Sequence, residues 1–238
     1  MSGRPAATVG YNFPLVERSL APPLERPGPD YRERRMMKNW IAALSLVTGL
    51  VAGPASGATG DAAVGAQKAA ICGACHGANG NSPNPEWPNL ASQHADYIAA
   101  QLKSFQQGVR NNPIMMPNAA ALSPQDMADL AAYFSRQTLT GLEADPALYK
   151  AGQKLYRTGD AARGVPACVA CHGPEGKGNG PARYPAVRSQ HSVYAFNQLK
   201  AYATGTRTTP GANIMPAIAQ KLTDDEMKAL AAYMQGLR

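Results

Sequence analysis

Cys72-Gly73-Ala74-Cys75-His76-Gly77 returns 96 residues later as Cys168-Val169-Ala170-Cys171-His172-Gly173, and these two motifs hold all four cysteines of the chain. Two thiols three positions apart at a helix start can add to the two vinyl groups of one haem. The adjacent histidine is then held beneath the iron, so the spacing has a covalent rationale. By composition, one chance occurrence is expected on the order of 10⁻³ times per chain. A zinc site would want two CxxC pairs about 15–20 residues apart, and a thioredoxin-like site would want a βαβ surrounding. Neither context is present, and a disulfide within each CxxC would be strained. The pattern predicts two covalently attached haem c groups, with Cys72, Cys75, Cys168 and Cys171 as attachment points and His76 and His172 as iron ligands.

Outward from the motifs, the chain repeats itself. Ser92-Gln93-His94 matches Ser189-Gln190-His191, and Ala131-Ala132-Tyr133-Phe134 matches Ala231-Ala232-Tyr233-Met234, at offsets of 97 and 100. Ser123 and Thr223, each followed by acids and an apolar stripe, predict the N-caps of the two last helices. Further helices are predicted over 61–74, 95–107, 146–157 and 192–204, and no stretch alternates like a strand. The linker over 138–143, with Gly141, divides a first domain at 59–142 from a second at 143–238. A methionine thioether is the sixth ligand that suits electron transfer. Met115, Met116 and Met215 stand near prolines. Local context favours Met116, but the 100-residue register aligns Met115 with Met215, so Met115 and Met215 are the expected axial ligands. Met127, Met227 and Met234 lie on helical stripes and read as core. His94 and His191 read as helix-start histidines with structural hydrogen bonds, and Trp87, Tyr97, Tyr184 and Tyr194 as pocket lining.

Residues 36–58 read as a cleavable signal: Lys38, an apolar run from Trp40 to Val51, then Ser56-Gly57-Ala58. The run is too short to span a bilayer as a helix. Residues 1–35, with six prolines and six arginines, read as a disordered extension or a start assigned too early. Without the first 58 residues, 180 remain, enough for two small domains rather than one large catalytic fold. Those 180 hold sixteen basic and twelve acidic residues, so the whole-chain net charge of +7 falls to +4. That balance excludes a nucleic-acid surface. Residues 59–142 carry a net −1 and residues 143–238 a net +5. Aromatics are only 7% of the chain, too few for two small cores unless something else fills them, and a buried macrocycle answers that shortage.

The paired motifs, Trp87-Pro88-Asn89-Leu90 with Tyr184-Pro185-Ala186-Val187, and the methionine-to-cap spacing together resemble the dihaem cytochrome c4 family over essentially all of residues 59–238. The resemblance implies an all-α protein of two tandem class I cytochrome c domains, each wrapped around one haem. It places the axial methionine seven residues before the leucine of the last helix cap, on Met115 and Met215. It also implies that the Pro88 and Pro185 carbonyls accept a hydrogen bond from the proximal imidazoles. The first 35 residues have no counterpart in it. The implied function is electron transfer in the periplasm by a monomeric carrier rather than an enzyme, with a quinol-oxidising complex or a haem-copper oxidase as redox partners and loose association at a membrane surface. A haem subunit of a flavin-dependent sulfide dehydrogenase is the alternative reading, and a dihaem peroxidase would need an open iron that paired methionines deny it.

Overall fold

The computed structural model describes residues 59–208 and 214–238, all within one compact unit. The expected signal and N-terminal extension lie outside the described residues. Among those described there are helices and three isolated β-bridges but no strand. None of these helices is long and apolar enough to cross a membrane.

The first half runs α1 (Ala62–Lys68), α2 (Ala70–His76), α3 (Ala95–Gln106), α4 (Met115–Ala120) and α5 (Pro124–Ser135). The second half repeats the order as α6 (Pro146–Thr158), α7 (Val169–His172), α8 (Ser192–Ala203), α9 (Ile214–Ala219) and α10 (Asp224–Gly236), with a 3₁₀ turn at Ala161–Arg163. Both last helices begin with a complete capping box. Ser123 and Thr223 accept from the backbone N–H of Asp126 and Glu226, whose carboxylates accept from the cap N–H in return. Such a cap contributes about 1 kcal/mol.

The first and last helices of each half cross at a glycine. A methyl group on Gly65 would lie 2.0 Å from the Asp129 carbonyl oxygen, and one on Gly152 would lie 2.0 Å from that of Ala229. No side chain fits there, so the two backbones touch. Matching these contacts pairs Gly65 with Gly152 and Asp129 with Ala229, which sets Lys68 against Leu155.

At that matched position the halves differ in chemistry. Asp129 is buried at 2% exposure and accepts from Lys68 Nζ (2.8 Å), the Asp61 N–H (2.9 Å) and Gln125 Nε2 (2.7 Å). The Lys68 ammonium, then the Asp61 and Gln125 donors, hold its carboxyl below the usual carboxylate range. Such a group stabilises the fold fully above its unfolded pKa of about 4, and the contribution is lost as pH falls through the depressed folded value. Thermal melts between pH 7 and pH 3 are therefore expected to drop more steeply for the wild type than for Asp129→Asn. Parallel pH profiles would contradict this.

The buried apolar side chains are unevenly shared. In the first half they form a small cluster around Ile98, Leu130 and Phe134. In the second half a larger one gathers Tyr156, Leu199, Met227, Leu230 and Tyr233 among its eleven members.

The halves meet along a seam built from matching residues. Arg110 Nη2 donates to Tyr194 Oη (3.0 Å) and Gln198 Oε1 (2.9 Å), and its Nη1 donates to Gln101 Oε1 (2.7 Å). Arg207 mirrors it, with Nη2 donating to Tyr97 Oη (2.8 Å) and Gln101 Oε1 (3.2 Å) and Nη1 to Gln198 Oε1 (2.7 Å). Each guanidinium also lies 4.6 Å from an aromatic centroid of its own half, Phe105 or Tyr202. The phenols of Tyr97 and Tyr194 are thus engaged by arginines across the seam, a use that pocket lining did not anticipate.

Candidate haem sites

Each CxxCH segment is helical. Cys72, Cys75 and His76 lie on α2, while Cys168 caps α7 and Cys171 and His172 lie within it. Each helix ends at once on a glycine of positive φ, Gly77 or Gly173, both at 78°. A residue with a Cβ is strained in that conformation, so the glycine after the histidine lets the chain turn away immediately.

All four thiols are free and half-buried. Burial pushes the Cys72 thiol up and the Cys168 thiol up to about 11. Cys72 packs on the apolar cluster of the first half, and Cys168 and Met215 on that of the second. Cys72 and Cys168 so placed face the apolar interior of their halves.

The imidazoles are buried, His76 at 7% and His172 at 8% exposure. Burial lowers both below the ordinary histidine range, against the opposing pull of one carbonyl each. His76 Nδ1 donates to Pro88 O at 2.9 Å, and His172 Nδ1 donates to Pro185 O at 2.9 Å. A carbonyl can only accept, so Nδ1 carries the proton and Nε2 keeps its lone pair. Among the described residues neither Nε2 has a hydrogen-bond partner. A neutral imidazole with fixed tautomer, fixed ring plane and an Nε2 free of hydrogen bonds keeps a lone pair that a metal can take. No three His, Cys, Asp or Glu side chains converge as a metal site among the described residues.

The methionines stand at the heads of two short helices that sequence periodicity did not reveal. Met115 opens α4, with its N–H donating to Asn112 Oδ1 at 2.9 Å, and Met215 is the second residue of α9. Both are half-buried, as is Met116. α4 packs against α3 and α5 follows, and the second half repeats this with α8, α9 and α10.

Comparison with known proteins accounts for this doubled arrangement. The Cytochrome c family model matches twice, over residues 62–137 and 149–238. Cytochrome c4 of Pseudomonas aeruginosa is 43% identical over 202 residues, covering 84% of this chain and 100% of that protein. The chain belongs to the cytochrome c4 family. The crystal structure of reduced recombinant cytochrome c4 from Pseudomonas stutzeri superposes with a TM-score of 0.74 at 43% identity, covering 76% of this chain and 100% of that one. A thiosulfate dehydrogenase electron acceptor of Thiomonas intermedia is 35% identical over 202 residues, covering 83% of this chain and 90% of that protein. The fold is all-α with two cytochrome c domains, and the cysteine pairs fit two covalently bound haem c groups. As a cytochrome c4, the chain is an electron carrier.

Proposed function

We propose that the mature chain, residues 59–238, is exported to the periplasm and shuttles single electrons from a respiratory donor to a terminal acceptor such as a haem-copper oxidase. Cys72 and Cys75 would hold one haem and Cys168 and Cys171 the other, and His76 with Met115, and His172 with Met215, would ligate the two irons. Each haem, when bound, supplies a one-electron iron couple whose potential a methionine ligand raises. The protein's part is to orient the imidazoles through Pro88 and Pro185, exclude water with the two apolar clusters, and offer each iron an imidazole and a thioether. The seam supports the reading as well. Arg207 is buried with its Nε unpartnered, and both seam guanidiniums bond to phenols and amides rather than carboxylates, so the region suits the anionic propionates that haem carries.

The observation that carries the proposal is the pair of imidazole–carbonyl bonds beside two free thiol pairs. An optical redox titration of the mature protein tests it. Two haem equivalents, low-spin in both oxidation states, with the thioether-to-iron charge-transfer band in the ferric form, are expected. A high-spin fraction would point to an open iron and an enzyme.

Charge supports a docking direction. The second domain, at +5, is the face for an acidic partner, and the first, at −1, exchanges electrons elsewhere. Electron transfer to an acidic acceptor is then expected to slow as ionic strength rises, because exposed charges are screened beyond about 10 Å at 0.1 M salt. A salt-independent rate would count against it. A second reading, service as the electron acceptor of a sulfur-compound dehydrogenase, draws on the name of the Thiomonas intermedia relative. Stable co-purification with such an enzyme would favour it.

A further inference from the structure

The repeated Ser-Gln-His triplets lie outside both haem motifs, yet each reaches across the seam. Ser92 and Ser189 adopt positive φ (59° and 45°), a strained conformation for serine that turns the chain so that the next two side chains point into the other domain. His94 Nε2 donates to Lys177 O at 2.8 Å, and His191 Nε2 donates to Ser82 O at 2.9 Å. The glutamines grip backbone by both ends of the amide. Gln190 Oε1 accepts from the Asn89 N–H (2.9 Å) while its Nε2 donates to Asn89 O (3.1 Å). Gln93 Oε1 accepts from the Ala186 N–H (3.0 Å) while its Nε2 donates to Ala186 O (2.9 Å).

The peptide groups so held are not arbitrary. The Asn89 N–H belongs to the same peptide unit as Pro88 C=O, the acceptor of His76 Nδ1. The Ala186 N–H shares its unit with Pro185 C=O, the acceptor of His172 Nδ1. Each domain therefore contains a three-part relay: imidazole N–H to peptide carbonyl, then through the conjugated amide to its N–H, then to a glutamine oxygen of the other domain. Engaging the N–H of an amide makes its carbonyl a stronger acceptor, because resonance links the two ends and hydrogen bonds in a chain polarise one another. A stronger acceptor on Nδ1 raises the basicity of Nε2.

We propose that Gln190 and Gln93 are crossed positioning residues, each tuning the axial imidazole of the domain to which it does not belong. Gln190 acts on His76, and Gln93 acts on His172. The inference rests on the reading of those histidines as iron ligands. Its direction follows from charge: a more basic imidazole favours ferric over ferrous iron, so each glutamine holds down the reduction potential of the opposite haem. Asn89 ties the first relay in further, since its Oδ1 accepts from the Ser82 N–H and its Nδ2 donates to Ser189 O, contacts that Ala186 cannot make.

The experiment uses the full dihaem protein and the variants Gln190→Met and Gln93→Met, which keep length and lose the amide. Haem-methyl NMR signals, assigned to each domain, are followed through a redox titration. Gln190→Met is expected to raise the potential of the haem on Cys72 and Cys75 by up to about tenfold in the reduction equilibrium constant, about 59 mV for a one-electron couple, and to leave the other unmoved. Gln93→Met is expected to do the reverse. Gln190→Glu, which retains an acceptor for the Asn89 N–H, is expected to hold or lower the potential of the first haem. Shifts confined to the variant's own domain, equal shifts of both haems, a rise in Gln190→Glu, or no shift with both haems attached would each overturn the proposal. The ligand reading is checked separately in the wild type. Haem-shifted ring protons of His76 and His172 must be present there, and their absence would remove the assignment before any variant is made.

Discussion

Replacing Cys72 and Cys75 together with alanine is expected to give a protein one porphyrin lighter whose first domain no longer folds. The reason is the size of the cluster those cysteines adjoin. Five residues of the first domain, Ala69, Ile98, Leu130, Ala131 and Phe134, form its buried apolar cluster, two of them alanines, and outside that cluster only Ala91, Phe105, Ala119 and Met127 are buried apolar residues. Burying a Leu, Ile or Phe side chain contributes about 1.5–3 kcal/mol, while ordering the backbone costs about 1–2 kcal/mol per residue. So few side chains cannot carry some eighty residues, and a covalently held macrocycle supplies the missing apolar surface. Cys168→Ala with Cys171→Ala is expected to be milder, because the second domain keeps an eleven-residue cluster with Tyr156 and Tyr233 fully buried. Mass spectrometry counts the porphyrins. Far-UV circular dichroism and limited proteolysis then report which half has opened. Two attached haems, or an unchanged melt in the first double variant, would contradict the expectation, and so would equal loss of structure in both.

Met115→Ala is expected to remove about half of the ferric thioether band, lower the potential of one haem and let carbon monoxide bind that ferrous iron, since methionine is the ligand that raises the potential of a histidine-ligated haem. Met116→Ala is expected to leave all three properties close to wild type. The distinction rests on register at the head of α4. Asn112 Oδ1 receives the N–H groups of Ile114 and Met115 and fixes the start of that helix; counted back from the caps Ser123 and Thr223, Met115 matches Met215 at an offset of 100, whereas counted from the helix heads it is Met116 that, like Met215, stands second and before a proline. The reverse outcome would move the ligand to Met116.

Much of this architecture was legible in the sequence because it rests on local rules. The capping boxes at Ser123 and Thr223 were readable from four residues each, and the helices at Ala95–Gln106, Pro146–Thr158 and Ser192–Ala203 followed from apolar spacing within a residue or two. The segment expected as one helix over 61–74 is two, meeting at Ala69, which caps one and starts the other. α4 and α9 escaped notice because six residues are too few for a period, and the start of α4 is set by the side chain of Asn112. The expected hydrogen bonds of His94 and His191 exist, but their acceptors lie 83 and 109 residues away. No local pattern encodes such partners. The identity of the Ser-Gln-His triplets between copies was the available signal, and it marked the residues without revealing what they hold. Tyr97 and Tyr194 illustrate the same limit, since an aromatic at a matched position reads as pocket lining until an arginine from the other copy is found on its hydroxyl.

The seam has the form of a contact between two identical molecules. Arg110 reaches Tyr194 and Arg207 reaches Tyr97, while Gln101 and Gln198 each serve both arginines. Residue i meets j and j meets i, the signature of an isologous two-fold interface. A tandem gene fusion of a homodimer preserves that geometry while separating the fates of the two surfaces. In a two-fold homodimer any substitution strikes both sides at once; in one continuous chain each side can differ alone, as at Asn89 against Ala186 and Asp129 against Ala229, so the pair has two distinguishable ends.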